Sequence, residues 1–306
     1  MKGFRLASSL LLAVIAIQAF SQQYADSLYL PEEFDSLYEP SGGPEVFIDE
    51  FHHNFHTRNG RYSPFARVIE QDGFRVGSLN SEFTRSSLKD IRILVISNAL
   101  PETSVDEWIA PTASAFTDKE IKTVEKWVKQ GGRLFLIADH MPLGGAAAKL
   151  ASAFGFVFQD GFADDTTTQG GRELFCRANG TLGNTYLTNG VNGFEKVDSV
   201  TSFTGQVFQI PEDAESILYC RDGWVLALPD TAWVFNERTP ILNASGWSQG
   251  AYKTFGKGKI VVFGEAAMFS AQIAEVDGRK FKAGMNSPEG RNNYKLLINT
   301  IRWLDE

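Results

Sequence analysis

Cysteine and histidine are both scarce in this 306-residue chain, with two of the first and four of the second. Two cysteines rule out a scaffold stapled by several disulfides. Neither Cys176 nor Cys220 has a histidine near it in sequence, which argues against a cysteine nucleophile. In an oxidising compartment the pair can form one disulfide, and two separate buried thiols fit as well. No Lys/Arg-rich stretch occurs, and the net charge is −8. Nucleic acid and anionic membrane surfaces are therefore poor partners. Long apolar runs are missing too. The longest, residues 10–19, is too short and too soon followed by polar residues for a permanent membrane span. The HExxH zinc signature is absent, and no G-x-S-x-G elbow surrounds Ser270.

The N-terminus reads as a signal peptide over residues 1–21. Lys2 and Arg5 precede the short apolar core, and Ala19-Phe20-Ser21 is a small-x-small cleavage site. This predicts an exported protein, periplasmic or secreted. Residues 22–45 hold acids, Pro31, Pro40 and a Ser41-Gly42-Gly43-Pro44 turn, and are expected to be an exposed lead-in. With 43% hydrophobic residues the remainder has ample material for a folded core.

From Val46 the chain alternates between candidate strands and helices. Strands are expected at 46–48, 74–79, 91–97, 133–138 and 259–264, and helices at 62–71, 146–154 and 291–304. The clearest helix opens at Thr117, an N-cap with Glu120 at the capping-box position. Ile121, Val124, Trp127 and Val128 follow at helical spacing, and Gly131-Gly132 closes it. This rhythm implies parallel strands with right-handed crossovers. It breaks at Asp160. Residues 160–255 read as a β-rich insertion of short, antiparallel strands. A core strand follows the insertion, so residues 46–306 are expected to form one α/β domain.

All four histidines lie just after candidate buried strands: His52, His53 and His56 after the first, His140 after 133–138. In open α/β sheets ligands bind beyond the carboxyl ends of the parallel strands. Asn98 and Glu265 end two further strands. Four polar clusters are thus expected at one sheet edge. His140, Asp139, Glu265 and His53 are the candidate catalytic groups, as acids, bases or the partners that orient them. Asn98, Asn54, Gln272 and Trp247 are the candidate substrate-binding residues, with Trp247 as an aromatic platform. His52 and His56, spaced i and i+4, are candidate ligands for a divalent metal such as zinc, with His140 and a carboxylate completing the set. Gly144-Gly145 can offer backbone N–H groups to an anion. Blander roles stand beside each of these. The histidines can tie loops together, Asp139 can cap a helix, and Trp247 can be core.

The segments Asp49-Glu50-Phe51-His52-His53-Asn54, Ser97-Asn98-Ala99-Leu100, Ala115-Phe116-Thr117, Ile137-Ala138-Asp139-His140-Met141-Pro142, Gly246-Trp247-Ser248-Gln249-Gly250-Ala251 and Gly264-Glu265-Ala266-Ala267-Met268-Phe269 carry a resemblance. The chain resembles exported bacterial proteins with a class I glutamine amidotransferase-like domain of unknown function, distantly similar to ThuA-like proteins. The resemblance implies a flavodoxin-like three-layer α/β/α sandwich with a mostly parallel sheet. It does not imply amidotransferase activity. The strand-to-helix turn holds Asp139-His140 where that family has its cysteine. Two functions are expected from these readings. One is a hydrolase-like enzyme acting on a carbohydrate or other small polar substrate. The other is a non-catalytic envelope protein that binds a ligand or partner.

Overall fold

The computed structural model describes residues 22–31, 35–168, 173–276 and 279–306. The expected signal peptide lies outside the described residues. Among the described residues no helix is long and apolar enough to cross a membrane.

A seven-stranded sheet organises the chain. Its strands are β1 (Glu45–Asp49), β2 (Arg75–Leu79), β3 (Ile93–Ser97), β4 (Arg133–Ile137), β5 (Glu215–Tyr219), β6 (Ser248–Phe255) and β7 (Gly258–Phe263). They lie in the order β2-β1-β3-β4-β7-β6-β5. The first five in that order are parallel, and β6 and β5 continue the sheet antiparallel. Strands β3 and β4 are near-continuous apolar runs because both faces are covered.

Alternation along the strands sends side chains to two separate cores. Val46, Ile48, Ile93, Val95, Phe135, Ile137, Val261 and Phe263 meet helices α1 (Ser63–Gln71) and, at the end of the chain, Asn293–Asp305. Leu94, Ile96, Leu134, Leu136, Ile260 and Val262 meet α2 (Asp118–Lys129) and α3 (Leu143–Ser152) on the other face. The closing helix, Asn293–Asp305, is α4. The capping box that opens α2 is complete. Glu120 N–H donates to Thr117 Oγ1 at 3.2 Å, and Thr117 N–H donates to Glu120 Oε2 at 3.0 Å.

The expected insertion is built from short antiparallel pieces. Phe162–Asp165, Trp224–Ala227 and Ile241–Asn243 form one small sheet, and Glu173–Cys176 pairs with Ser199–Ser202. Two of its strands, β5 and β6, extend the main sheet. The lead-in differs from its expectation. Its side chains are mostly exposed, yet Gln22–Ala25 pairs antiparallel with Ala271–Val276. Backbone pairing of this kind leaves no hydrophobic signature to read. Cys176 and Cys220 are free thiols, the first half-buried and the second buried.

Candidate functional site

Because β1, β3, β4 and β7 run parallel, Asp49, Asn98, Asp139 and Glu265 all emerge at the carboxyl edge of the sheet. Direct bonds stitch this edge together. Asp139 N–H donates to Asn98 Oδ1 at 2.9 Å, and Asn54 Nδ2 donates to the Ser97 carbonyl at 3.2 Å. Phe55 N–H reaches the Asn98 carbonyl at 2.9 Å. Asn98 and Asn54 therefore spend amide groups bracing loops. Gln272 does likewise, since its Nε2 donates to Ser270 Oγ at 2.8 Å.

The edge divides into three environments. On the α2 face, His52 bridges two carboxylates. Its Nδ1 lies 2.9 Å from Asp49 Oδ2 and its Nε2 lies 2.9 Å from Glu120 Oε1. Burial opposes a charged ring, but the two acids outweigh it and raise the His52 pKa. On the α1 face, Asp139 and Glu265 continue the alternation of β4 and β7 beside Tyr62. Glu265 is fully buried and accepts the N–H groups of Ala267 at 2.7 Å and Met268 at 2.8 Å. Burial and then Asp139 push its carboxyl well above the usual range. His56 packs on Tyr62 with ring centroids 4.5 Å apart. Burial, aided by Arg61, lowers its pKa to about 3, so its ring is neutral. Its Nδ1 has no hydrogen-bond partner.

His140 occupies the third environment, beneath the insertion. Its Nδ1 pairs with the Met141 carbonyl at 2.7 Å, which fixes the ring. Phe162 stacks on the ring at 4.5 Å, Trp233 meets it edge-on at 4.7 Å, and Trp108 lies at 6.0 Å. Two loops carry this aromatic roof and are joined to each other. Ala110 N–H donates to the Asp230 carbonyl at 2.8 Å, and Ala232 N–H donates to the Trp108 carbonyl at 2.9 Å. Three of the four non-glycine residues with positive φ among the described residues are Asn98, His53 and Trp233, all in loops at the carboxyl edge or its roof. Such strain is concentrated where function constrains the backbone.

Both nitrogens of His52 lie on carboxylates, and among the described residues no group of three or more His, Cys, Asp or Glu side chains is arranged to hold a metal ion. Glu265 opens a short 3-10 turn, Ala267–Phe269, and then a strand, rather than a helix. The backbone at the start of α3 receives the carboxylate of Asp160, so Gly144-Gly145 already has its anion. His53 is exposed, while Trp247 is half-buried against the core. The aromatics around His140 are Trp108, Phe162 and Trp233. Phe162 opens a short strand, and Trp108 and Trp233 lie in loops without periodicity.

A cavity of about 510 Å³ lies at the opposite, amino edge of the sheet. Its lining includes Tyr38, Arg92, Tyr186, Asn299, Arg302 and Asp305. Both arginines there are already paired, Arg302 with Asp72 and Glu195 and Arg92 with Asp305.

No family model and no curated protein matches the chain. Solved structures do. The mmIFT52 N-terminal domain is 15% identical, with 85% of this chain and 97% of that one covered and a TM-score of 0.55. A putative ThuA-like protein from Bacteroides uniformis is 12% identical over 90% and 95% of the two chains, with a TM-score of 0.45. The cytoplasmic protein STM3548 from Salmonella typhimurium is 14% identical over 85% and 98%, with a TM-score of 0.46. At these identities the first likeness shows a shared fold alone, and the other two superpose more loosely.

Proposed function

We propose that this chain is an exported, hydrolase-like enzyme that handles a carbohydrate or other small polar substrate at the roofed carboxyl edge. His140 is its acid–base group. The observation that carries this reading is the setting of His140. One ring nitrogen is locked on the Met141 carbonyl, leaving the other free within a frame of Phe162, Trp233 and Trp108. A fixed tautomer with one free nitrogen is what proton transfer requires, and aromatic faces suit the apolar side of a sugar ring. Asp139, one residue away, accepts the His140 backbone N–H at 2.8 Å and so fixes the turn. Glu265, buried on the same face, has its carboxyl pKa raised by burial and by Asp139.

The parallel strands follow chain order second, first, third, fourth, fifth. That order, with helices on both faces, supports a flavodoxin-like sandwich and the distant ThuA-like resemblance. The elbow cysteine of amidotransferases has no counterpart here. Export follows from the N-terminal pattern of residues 1–21, and no nucleic-acid partner is proposed for so acidic a chain. A second reading, a ligand-binding envelope protein without catalysis, is favoured by the deep burial of Asp139 and Glu265.

The test is hydrolysis of a panel of aryl glycosides and aryl esters by the mature protein, beside His140→Gln. Turnover that falls by about 100-fold or more in the variant, with the melting profile intact, supports acid–base catalysis. Turnover that survives the substitution refutes it. Binding without turnover in either protein favours the second reading.

A further inference from the structure

The amino-edge cavity, about 510 Å³, opens between the lead-in, the turn at 186–195 and the carboxyl end of α4. Small-molecule sites have about this volume. Most hydrogen-bond donors of its lining are already engaged. Arg302 gives Nε and Nη2 to Asp72 at 2.9 and 2.6 Å, and Nη1 to Glu195 at 2.7 Å. The Tyr38 hydroxyl donates to Asp305, and the Tyr186 hydroxyl donates to Glu306. The Val191 N–H donates to Glu195 Oε2 at 2.7 Å. Asn299 Nδ2 spends both hydrogens, on the Leu187 carbonyl at 2.8 Å and on the Glu195 carbonyl at 2.9 Å. The other end of that amide, Asn299 Oδ1, accepts nothing, although the residue is only 3% exposed. Arg92 is tied through Nε to Asp305 at 2.9 Å, and its terminal nitrogens are left as spare donors on a half-exposed side chain. The lining is therefore rich in acceptors and poor in donors.

We propose that this cavity is a second binding site, for a small organic cation that carries an amine, such as an alkyl diamine. The site stands apart from the carboxyl edge and does not rest on that reading. An ammonium group supplies the donor that the Asn299 oxygen lacks, and charged donors make the stronger bonds. Three carboxylates of the lining, Glu195, Asp305 and Glu306, outnumber the guanidiniums of Arg92 and Arg302. The negative end of the α4 dipole adds to them. The rings of Tyr38 and Tyr186 attract a cation as well. An anion finds only the outer nitrogens of Arg92, and a neutral hydroxyl gains nothing from the excess of acid. Because Asn299 Oδ1 is buried, contact with it entails a small shift of the 186–195 turn that the same amide braces.

The experiment is titration calorimetry at pH 7 with three molecules of similar length: 1,4-diaminobutane, 1,4-butanediol and succinate. Wild-type protein is compared with Val191→Trp, which fills the cavity from an exposed position, and with Glu306→Gln, which removes one charge and leaves an oxygen for Tyr186. Melting profiles are recorded alongside. The diamine is expected to bind wild type about tenfold or more tighter than the diol, and succinate not to bind. Val191→Trp should abolish diamine binding, and Glu306→Gln should weaken it about threefold or more. His140→Gln should bind the diamine as wild type does, which separates this site from the carboxyl edge. No diamine binding to wild type, equal affinity for the diol, or binding that either cavity variant leaves unchanged overturns the inference.

Discussion

Replacing His52 by alanine would remove the imidazole that joins Asp49 to Glu120. The damage should fall mainly on Asp49. That residue is fully buried, and apart from His52 its carboxylate accepts the Phe51 N–H at a long 3.3 Å. Glu120 keeps the N–H groups of Thr117 at 3.0 Å and Phe83 at 3.2 Å. Breaking a buried pair from one side costs about 3–5 kcal/mol. In a domain of this size that corresponds to a fall in Tm of roughly 10 °C. The sign with pH follows from the two partners. The His52 pKa is raised above 6.5, so its contribution is complete below 6.5 and fades as pH rises through the higher folded value. The Glu120 pKa is held below 4.5 despite burial, chiefly by the Thr117 N–H and by His52. Its contribution is present above 4.5 and lost as pH falls through the lower folded value. The difference between wild type and His52→Ala should peak between these limits and narrow toward alkaline pH. Urea denaturation at pH 5.5 and pH 9 would measure it. A difference below about 1 kcal/mol at pH 5.5, or one as large at pH 9, would refute the bridge as a stabilising element.

Glu173→Gln should act in the opposite sense. Burial, then Asp164 and Asp165, push the Glu173 pKa to about 8. The folded state therefore keeps a proton that the unfolded state releases, and wild-type stability declines as pH rises from 4.5 to about 8. The variant should be the more stable protein by pH 8 and lack this slope in thermal melts between pH 4 and 9. Thr117→Ala removes the side-chain half of the α2 capping box and should cost about 1 kcal/mol, read by the same denaturation. A neutral result there would mean that the backbone N–H of residue 117, His52 and Phe83 hold Glu120 without the hydroxyl.

The regular part of the fold was legible because its signals are local. Val46, Ile91 to Ser97 and Lys259 to Gly264 carry buried-strand composition, and Thr117 with Glu120 marks a helix start by a bonding pattern two residues can encode. Convergence of Asp49, Asn98, Asp139 and Glu265 followed from parallel strands. What each group does at that edge was not legible. Asp139 and His140 are neighbours, yet alternation sends one toward the α1 face and the other beneath the insertion. His52 reads as a metal ligand by residue type, but its true partner Glu120 is 68 residues distant and reaches it only through α2. Trp108, Trp233 and Asp160 come together through loop–loop backbone bonds, which leave no periodicity in sequence.

The account turns on substrate binding at the carboxyl edge and not in the amino-edge cavity. Amide hydrogen exchange of His140→Gln, with and without the best-bound member of the glycoside and ester panel, measures this directly. The account predicts protection of residues 105–115 and 229–239, the two loops that roof His140. Protection of residues 186–195 and 299–306 instead, around the cavity of Tyr186 and Arg302, would contradict it.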